Sequence, residues 1–349
     1  MAVRGGVSRL RVVHVGVGLW GRSWAELIAG APGYRLVGVA DAGAPGRAWA
    51  EQELRVPAYR DLGRALCATG ADVVVLASPP ATHRPLAELA LAEGCHVIVE
   101  KPLALTLADA AAIAAAAAGA GRDVMVSQNY RFRRQSRALR ELVSGRALGP
   151  LLGIRVSCRR DLRDAWISRR DWRGRMPHPY LLDMAIHHVD MLRMITGAEV
   201  AEVDARSWGA PDGPFRHDAT VQALLTLMDG TPVSYEGTWA EPLSQTSWNG
   251  DWELLGSRAR ATWSGGVGDA MRGTVRFGRH REPVRPSPLP ALQALDRLGV
   301  LAELRRAIVA GEQPECSAAD NLRSLAVVFA LARSTEQRRP VQVGELTGS

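Results

Sequence analysis

Lysine is almost absent from this sequence. Of its 349 residues, 43 are lysine or arginine, and Lys101 is the only lysine among them. A chain that relies on arginine for solubility and ion pairing has no general need for lysine. Lysine carries a compact charge whose pKa shifts readily on burial, whereas arginine presents a wide fork that stays protonated. Lys101 is therefore a candidate functional residue, and the alternative is chance in an arginine-biased composition.

Cysteines and long apolar runs are also scarce. The four cysteines are scattered without CxxC spacing, which argues against a zinc cluster or a disulfide framework. No apolar stretch approaches the length of a membrane span. The N-terminus reaches a strand-like run too early for a signal peptide and lacks a small-residue cleavage site. These absences predict a soluble cytoplasmic protein that binds no metal.

Runs of consecutive basic residues are missing as well, although the formal net charge is +7. Because basic and acidic residues are interleaved over most of the chain, we do not expect a nucleic-acid-binding protein. One local excess of positive charge lies between Arg155 and Arg175, a segment with eight arginines and three aspartates. Two interpretations are open: a solvated, partly ion-paired surface, or a segment that attracts an anionic group.

The first 130 residues contain short valine-rich runs that alternate with helical periods. This alternation is typical of βαβ units on a parallel sheet. We predict strands at 11–15, 36–40, 72–77, 96–99 and 124–127, with helices at 19–29, 44–54, 62–68, 83–93 and 107–118. The near-continuous apolar strands indicate a sheet that is covered on both faces.

Beyond this point the pattern changes to longer alternating strands, separated by turn pairs such as Asp229-Gly230. We predict an α/β Rossmann dinucleotide-binding domain at 1–129 and an α+β domain at 130–349 with a large open, mainly antiparallel sheet. The last helix could pack back on the first domain. The predicted sheet carries aromatic area that a monomer would not cover easily, so we expect a homodimer or homotetramer formed through it. The residues concerned are Trp239, Trp248, Trp252 and Trp263.

A glycine-rich turn follows the first predicted strand and opens the first predicted helix. It is Gly16-Val17-Gly18-Leu19-Trp20-Gly21, a G-x-G-x-x-G motif in the context that dinucleotide binding requires. The first glycine permits the tight turn, the second lets the backbone approach a pyrophosphate, and the third allows close helix–strand packing. Asp41 ends the second strand, where an acid bonds the adenosine ribose hydroxyls and would repel a 2′-phosphate. We therefore predict NAD(H) rather than NADP(H), although Arg47 could weaken this preference.

A second motif combines carboxylates with an imidazole. Asp183, His187 and Asp190 stand at positions i, i+4 and i+7, which share one face of a predicted helix. A carboxylate one turn away can orient the imidazole and tune its pKa towards neutrality. Dehydrogenation of an alcohol needs a base for the hydroxyl proton, and His187 suits that role. His188 points to another side of the helix, and we expect it to be structural.

Together these segments resemble the Gfo/Idh/MocA family of oxidoreductases. The resemblance rests on residues 72–102, with Ser78-Pro79-Pro80-Ala81-Thr82-His83 and Val97-Ile98-Val99-Glu100-Lys101-Pro102, on the D-x-x-x-H-x-x-D helix at 182–190, and on the tail at 321–341. It covers nearly the whole chain. It implies an NAD(P)-dependent enzyme that moves a hydride between a secondary hydroxyl of a sugar, sugar derivative or cyclitol and the nicotinamide.

The resemblance also implies roles for individual residues. Lys101 would bind the reacting oxygen, His187 would exchange its proton, and Asp183 would hold both the substrate and His187. The expected cofactor contacts are Gly16, Gly18, Leu19, Trp20, Gly21, Asp41, Ser78, Pro79, His83, Glu100, Lys101 and Gln128. The expected substrate contacts are Lys101, Asn129, Tyr130, Trp172, Arg173, Asp183 and His187, with Asp171 beside them.

One segment departs from the family pattern. Members often have a glycine-rich stretch before the Asp…His helix, whereas this chain has Met176-Pro177-His178-Pro179-Tyr180. Two prolines and two bulky rings stiffen and fill a place that is usually open, so the identity of the substrate stays open. His178 is either a further polar contact or, as we expect, a packed loop residue.

Two other activities remain possible at this point. One is a redox-neutral hydrolase or epimerase that oxidises its substrate transiently and keeps NAD bound. The other is a non-catalytic NAD-sensing protein, in which we would expect the catalytic lysine or histidine to be lost. Both Lys101 and His187 are present.

Overall fold

The structure, a computed structural model, describes residues 9–163, 172–209, 213–267 and 273–347. The chain forms two compact units. The first consists of Met1–Gln128 with Arg297–Leu322, and the second consists of Asn129–Asp296 with Arg323–Ser349. Residues 297–322, which the sequence analysis assigned to the second domain, thus belong to the first unit.

The first unit is built on a six-stranded parallel sheet. Its strands are β1 (Leu10–Val15), β2 (Tyr34–Ala40), β3 (Ala58–Tyr59), β4 (Val73–Leu76), β5 (His96–Val99) and β6 (Val124–Val126), in the order β3-β2-β1-β4-β5-β6. The helices are α1 (Leu19–Gly30), α2 (Ala44–Trp49), α3 (Leu62–Thr69), α4 (His83–Ala92) and α5 (Leu107–Ala120). All of β4 is buried, as expected for a strand covered on both faces. The predicted Rossmann fold is confirmed.

The strand order places a ligand crevice in this unit. From β1 the chain moves first to β2 and β3 on one side and then to β4, β5 and β6 on the other. In such sheets ligands bind at the carboxyl ends of the strands, where the order reverses. The turn after β1 and the loops after β2, β4 and β5 therefore border the crevice.

The helix boundaries follow local chemistry. Helix α3 begins where the Asp61 carboxylate accepts a hydrogen bond from the Arg64 N–H at 2.9 Å, and α5 begins where the Thr106 hydroxyl oxygen accepts from the Asp109 N–H at 3.0 Å. Gly121 ends α5 with a φ of +58°, a left-handed conformation that glycine adopts without a Cβ penalty.

The second unit contains a nine-stranded mixed sheet. Its strands are β7 (Leu151–Arg159), β8 (Val200–Trp208), β9 (Thr220–Leu227), β10 (Pro232–Thr238), β11 (Asp251–Gly256), β12 (Ala259–Ser264), β13 (Thr274–Arg279), β14 (Arg285–Pro286) and β15 (Val341–Gln342), in the order β14-β13-β12-β11-β7-β10-β9-β8-β15. Only β7 and β10 pair in parallel. Its helices are α6 (Arg134–Ser144), α7 (Trp172–Arg175), α8 (Ile186–Thr196) and α11 (Gly344–Thr347). Helix α9 (Asp296–Ala310) belongs to the first unit except for its first residue, and α10 (Ala318–Gln337) begins in the first unit and continues in the second from Arg323. The predicted large, mainly antiparallel sheet is confirmed.

The segment that follows residue 296 packs into the first unit through specific contacts. The Tyr34 hydroxyl donates to the Leu301 carbonyl oxygen at 2.6 Å, and the Val126 N–H donates to the Cys316 carbonyl oxygen at 2.9 Å. The Arg297 guanidinium donates to the Ser23 hydroxyl at 2.8 Å. These contacts explain why residues 297–322 complete the first unit.

The nine-stranded sheet has one covered and one charged face. On β7 the side chains of Ile154, Val156 and Cys158 are buried, whereas Arg155 on the alternate face is exposed and forms an ion pair with Glu253. The tryptophans behind the assembly prediction lie within the unit, because Trp239, Trp252 and Trp263 are at most 2% exposed and Trp248 is half-buried. The aromatic-area argument for oligomer formation is therefore wrong. Alternation in the sequence shows that a strand has two faces, but not which face the helices cover.

Within the described ranges, no helix has both the length and the hydropathy that crossing a bilayer demands.

Candidate active site

The glycine turn after β1 has one position that the protein leaves open. Gly16 has a φ of +89°, and a Cβ there would lie 2.9 Å from the Ser78 nitrogen. A Cβ on Gly21 would lie 1.9 Å from the Gly16 carbonyl oxygen. A Cβ on Gly18, in contrast, would meet no atom within 4 Å. The fold itself thus requires Gly16 and Gly21, whereas the space at Gly18 suits the close approach of a ligand.

The N-terminus of α1 faces the same space. Gly18 is the N-cap of this helix, and no side chain caps the first N–H groups. Free N–H groups and the helix dipole together favour phosphate groups at such an end. Leu19 and Trp20 in the first turn are 72% and 47% exposed, and the Arg297 guanidinium lies 4.6 Å from the centre of the Trp20 ring.

Asp41 is held beside the glycine turn. Its carboxylate oxygens accept hydrogen bonds from the Val17 N–H at 2.8 Å and from the Gly43 N–H at 2.7 Å. A carboxylate has room for further donors, such as ribose hydroxyls. The guanidinium of Arg47 donates to the backbone carbonyls of Asp41 and Ala42, both at 2.8 Å, so a positive charge lies next to the same loop.

A buried histidine forms a hydrogen bond to the glycine turn. His14 on β1 is fully buried, and its Nε2 lies 2.8 Å from the Gly16 carbonyl oxygen. Burial lowers the pKa of His14 to about 4, so the ring is neutral at pH 7 and donates its Nε2 proton. The sequence analysis assigned no function to His14. The available signal was that it is the one histidine within an otherwise apolar buried strand.

His83 connects the loops after β4 and β5. It is fully buried, with Nε2 3.0 Å from the Ser78 carbonyl oxygen and Nδ1 3.1 Å from the Pro102 carbonyl oxygen. Burial lowers the pKa of His83. The imidazole therefore contacts backbone carbonyls and positions the loops, whereas Pro79 beside it is exposed. The Ser78 and Thr82 hydroxyls lie 2.7 Å apart.

Glu100 anchors the backbone of Lys101. The Glu100 carboxylate is buried and accepts hydrogen bonds from the Trp24 indole N–H at 2.7 Å and from the Lys101 N–H at 3.1 Å. The Lys101 side chain is half-buried at the carboxyl end of β5. Glu100 thus acts on the geometry of the lysine loop, and its oxygens are already engaged by the protein.

Gln128 has a buried amide without a hydrogen-bond partner. It is 1% exposed at the end of the segment after β6, and neither its Oε1 nor its Nε2 bonds to any described residue. An unsatisfied buried polar group costs roughly 1–3 kcal/mol. A ligand amide, such as the carboxamide of a nicotinamide, would satisfy both atoms. The open space at Gly18 and the Gln128 amide together fit a dinucleotide in this unit.

In the second unit, the Asp…His motif begins on a widened turn. Asp183 lies on a π-helical turn at Leu181–Ala185, and His187 lies in the first turn of α8. Such turns often occur at functional sites. The α-helical spacing that predicted one shared face for the motif therefore applies only from Ile186 onwards. The Asp183 side chain is half-buried and that of His187 is 5% exposed.

The other polar residues of the motif are structural. Asp190 is 1% exposed and accepts two hydrogen bonds from the Arg131 guanidinium, at 2.5 and 2.7 Å. His188 bonds through Nδ1 to the Tyr235 hydroxyl at 2.9 Å and lies with Nε2 3.2 Å from the Trp248 carbonyl oxygen. Burial lowers the pKa of His188 to about 4, which keeps it neutral.

His187 stacks on an aromatic ring that an arginine covers from the other side. Its ring centroid is 4.2 Å from that of Tyr130, with an angle of 9° between the planes. The Arg133 Cζ lies 3.4 Å from the Tyr130 centroid, so it must occupy the opposite face. Burial raises the pKa of Tyr130 to about 12, which keeps its hydroxyl protonated. We call His187, Tyr130 and Arg133 the stacked triplet.

Two polar residues from distant segments, Asn249 and Asp296, hold the arginine of the triplet. Arg133 donates to the Asp296 carboxylate at 2.7 Å and to the Asn249 side-chain oxygen, and Asn129 donates to Asp296 at 3.4 Å. Asn129 was among the predicted residues, but Arg133, Asn249 and Asp296 were not. Nothing in the local sequence signals them, because they come from three separate parts of the chain.

The segment that departs from the family pattern packs within the second unit. A Cβ on Gly237 would lie 2.0 Å from the Tyr180 ring, so this glycine makes room for the tyrosine. His178 is half-buried and pairs with the exposed Glu336 carboxylate at 2.9 Å. On α7 the Arg173 guanidinium lies 4.1 Å from the centre of the Trp172 ring. Asp171 lies outside the described residues.

Two family models match the chain. The first, described as "Oxidoreductase family, NAD-binding Rossmann fold", matches residues 10–128, and the second, described as "GFO/IDH/MocA C-terminal domain", matches residues 136–262. The D-apiose dehydrogenase of Paraburkholderia graminis is 28% identical over 97% of this chain and 91% of its own length. The myo-inositol 2-dehydrogenase of Thermotoga maritima is 26% identical over 79% of this chain and 81% of its own length.

Solved structures share the fold. An oxidoreductase from Agrobacterium radiobacter in complex with NAD⁺, L-tartaric acid and magnesium has a TM-score of 0.85 at 21% identity, covering 97% of this chain and 99% of that one. The aldose-aldose oxidoreductase of Caulobacter crescentus, complexed with glycerol, has a TM-score of 0.81 at 23% identity, covering 96% and 99%.

Proposed function

Because the chain belongs to the Gfo/Idh/MocA family of NAD-binding oxidoreductases, we propose that it is a dehydrogenase or ketoreductase acting on a secondary hydroxyl of a sugar, sugar derivative or cyclitol. Relatives named for D-apiose, 1,5-anhydro-D-fructose and myo-inositol support this substrate class. The observation that carries the proposal is the position of Lys101. The one lysine of the chain stands at the carboxyl end of β5, on backbone that Glu100 anchors.

The proposed cofactor site lies in the first unit. The turn at Gly16, Gly18 and Gly21 would receive the pyrophosphate, Asp41 the adenosine ribose, and Gln128 the nicotinamide carboxamide. Bound NAD⁺ supplies the acceptor for the hydride that leaves the substrate carbon. Asp41 favours NAD(H) over NADP(H) because its carboxylate repels a 2′-phosphate, while Arg47 beside the same loop reduces the difference.

We assign the proton transfer to Lys101, Asp183 and His187. In our proposal Lys101 donates a hydrogen bond to the substrate oxygen and stabilises negative charge on it. His187 takes the hydroxyl proton, and Asp183 orients the substrate and His187. Stacking on Tyr130 restricts the imidazole to one plane, which favours a single direction of proton transfer. Trp172 and Arg173 would border the substrate.

We make two further proposals, on cellular location and on oligomeric state. All four cysteines are free thiols, as is typical of a reducing compartment, and we propose that the enzyme acts in the cytoplasm. We also propose a homodimer or homotetramer formed through the nine-stranded sheet. In this proposal the subunits meet through the charged face of the sheet, with pairs such as Arg155–Glu253 and Arg260–Glu253, and not through the tryptophans.

The test is a substrate screen with cofactor turnover as the readout. Free sugars, sugar derivatives and cyclitols are offered with NAD⁺ or NADP⁺, and the ultraviolet absorbance of NADH is followed. We expect at least one compound to give sustained NADH formation, with NAD⁺ preferred. Product formation without net NADH would contradict a dehydrogenase and favour the redox-neutral hydrolase or epimerase.

A further inference from the structure

Arg160 directly follows β7, and its side chain lies on the covered face of the nine-stranded sheet. On β7 the buried side chains of Val156 and Cys158 alternate with the exposed Arg155. Arg160 continues the buried series, because its N–H still donates to the Thr238 carbonyl oxygen of the neighbouring strand at 2.9 Å. The ring that its guanidinium covers belongs to Trp248, whose carbonyl oxygen lies 3.2 Å from Nε2 of His188, the residue after His187. Arg160 therefore faces the side of the sheet on which His187 lies.

The guanidinium of Arg160 is fixed in place but forms no ion pair with any described residue. Its Nη1 donates to the Thr246 carbonyl oxygen at 3.0 Å, and its Cζ lies 4.4 Å from the centre of the Trp248 ring. Arginines near it in the sequence differ, because Arg155 pairs with Glu253, Arg159 with Asp251 and Arg163 with Asp161.

Two ionisable groups that interact with Arg160, those of Cys158 and Tyr130, carry no negative charge at neutral pH. Burial raises the pKa of Cys158 to about 11 and that of Tyr130 to about 12, so thiol and phenol stay protonated. Burial also lowers the pKa of Arg160, since the charged form loses solvation that no acid replaces. An arginine in this position favours an anion from outside the protein.

One edge of the guanidinium has the right form for such an anion. Nε is buried without a hydrogen-bond partner, and Nη2 bonds to no described residue and is not enclosed. The same Nε–Nη2 edge binds a carboxylate with two parallel hydrogen bonds at Arg131, to Asp190, and at Arg193, to Glu199. Carboxylate and phosphate groups match this fork.

We propose that Arg160 binds an anionic group on the substrate, so that the enzyme prefers acidic sugar derivatives carrying a carboxylate or a phosphate. This inference rests on the proposed function, since it names the substrate class of that site. Trp248 keeps the guanidinium plane in position, and the Nε–Nη2 edge receives the anion. Substrate orientation relative to His187 follows from this second fixed point.

The test compares three hexoses that differ in charge. Isothermal titration calorimetry with NADH-saturated enzyme measures the affinity for D-glucuronate, D-glucose 6-phosphate and neutral D-glucose. We expect one of the two acids to bind roughly tenfold more tightly than glucose or better, because hydrogen bonds to a charged group contribute about 1.5 kcal/mol or more. The stronger of the two identifies the group as carboxylate or phosphate. Added salt should reduce this preference and leave glucose binding unchanged.

Three variants locate the effect. Arg160→Gln should reduce the preference to less than about threefold, a residual that a neutral hydrogen bond can account for. Arg160→Lys keeps the charge without the fork and should lose part of the preference, which covers the case of a poorly folded glutamine variant. Arg155→Gln, on the opposite face of β7, is the matched control and should retain the full preference. Equal binding of acidic and neutral hexoses by the wild type, or an unchanged preference in both Arg160 variants, would overturn the proposal.

The two proposals can fail separately. NADH formation from neutral sugars without any acid preference would leave the proposed dehydrogenase activity standing and refute the role of Arg160. Acid binding that depends on Arg160, in a protein that oxidises none of the sugars screened, would support the anion site and refute the proposed reaction.

Discussion

At the scale of single residues, Lys101 combines two features that rarely meet by accident. It is the only primary amine among the side chains of the chain, and its backbone N–H is bonded to a buried carboxylate. A flexible stem on a fixed backbone allows the ammonium to reach a defined point. An arginine at the same place would bring a wider, planar group with different reach.

The prediction for Lys101 concerns turnover and not cofactor binding. Lys101→Ala and Lys101→Arg should each reduce kcat by roughly a hundredfold or more, because a positioned donor to the reacting oxygen is lost or displaced. The dissociation constant for NADH, measured by fluorescence titration, should change little. The control variant Arg64→Lys adds a lysine at an exposed position and should keep the wild-type kcat.

A near wild-type turnover of Lys101→Arg would contradict the assignment. The single lysine would then be a result of composition, and His187 would have to carry the catalytic role. His187→Ala separates the two contributions, since it should also flatten the limb of the pH–rate profile that belongs to the base.

Some residues of the candidate site could be identified from the sequence, and others could not. The glycines, Asp41 and Lys101 could be identified because their chemistry is encoded locally, in a turn or at the end of a strand. Asp296 and Asn249 could not be identified, since they reach Arg133 from segments more than a hundred residues away. The fixed position of Arg160 could not be read from an arginine-rich segment in which neighbouring arginines are ion-paired.

At the scale of elements, two glycines of the turn between β1 and α1 are needed for different reasons. Gly21 is required by the packing of the protein itself, whereas Gly18 faces space that no protein atom uses. Substitution by alanine should therefore have different consequences at the two positions, although both belong to one motif.

We predict that Gly21→Ala lowers stability and that Gly18→Ala lowers cofactor affinity. The first places a Cβ against a backbone carbonyl and should cost roughly 1–3 kcal/mol in urea unfolding. The second should change unfolding by less than about 0.5 kcal/mol. It should weaken NAD⁺ binding about tenfold, or ~1.4 kcal/mol, because the methyl group occupies the approach of the pyrophosphate. Unchanged NAD⁺ affinity in Gly18→Ala would contradict the proposed cofactor site.

Most elements could be predicted from periodicity, and the exceptions have different causes. The parallel strands were found because they are buried runs of valine, and the strand at 96–99 was predicted with its observed bounds. The strands β3, β14 and β15 were missed because each has two residues, too few to show alternation, and the six-residue strand β13 was missed as well. The π turn before α8 was missed because its residues keep a helical composition.

At the scale of the whole molecule, two buried histidines make stability depend on pH. Burial lowers the pKa of His14 and His188 from 6.5 to about 4. Below pH 6.5 the unfolded chain therefore binds protons that the folded protein does not take up until about pH 4. Stability is highest above pH 6.5 and is lost as the pH falls through this window. Each histidine contributes a loss of at most about 1.4 kcal/mol per pH unit, reached between the two pKa values.

We predict that urea unfolding shows this slope and that one substitution reduces it. Between pH 6.5 and pH 5.5, His188→Gln should lose about 1 kcal/mol less stability than the wild type, because one histidine fewer takes up a proton on unfolding. His178→Gln, at a loop position paired with Glu336, serves as the control. An identical pH slope for wild type and His188→Gln would show that His188 does not remain neutral in the folded state.

The division of the chain also sets an order of events during translation. A ribosome releases the N-terminal residues first, yet the Tyr34 hydroxyl and the Val126 N–H find their partners only in Leu301 and Cys316. By the time residue 322 leaves the exit tunnel, residues 129–296 of the second unit have already emerged. The strands of the Rossmann sheet are all available early, but the first unit lacks residues 297–322 while most of the second unit is synthesised. A fragment that ends at residue 128 would lack the hydrogen-bond partners of the Tyr34 hydroxyl and the Val126 N–H.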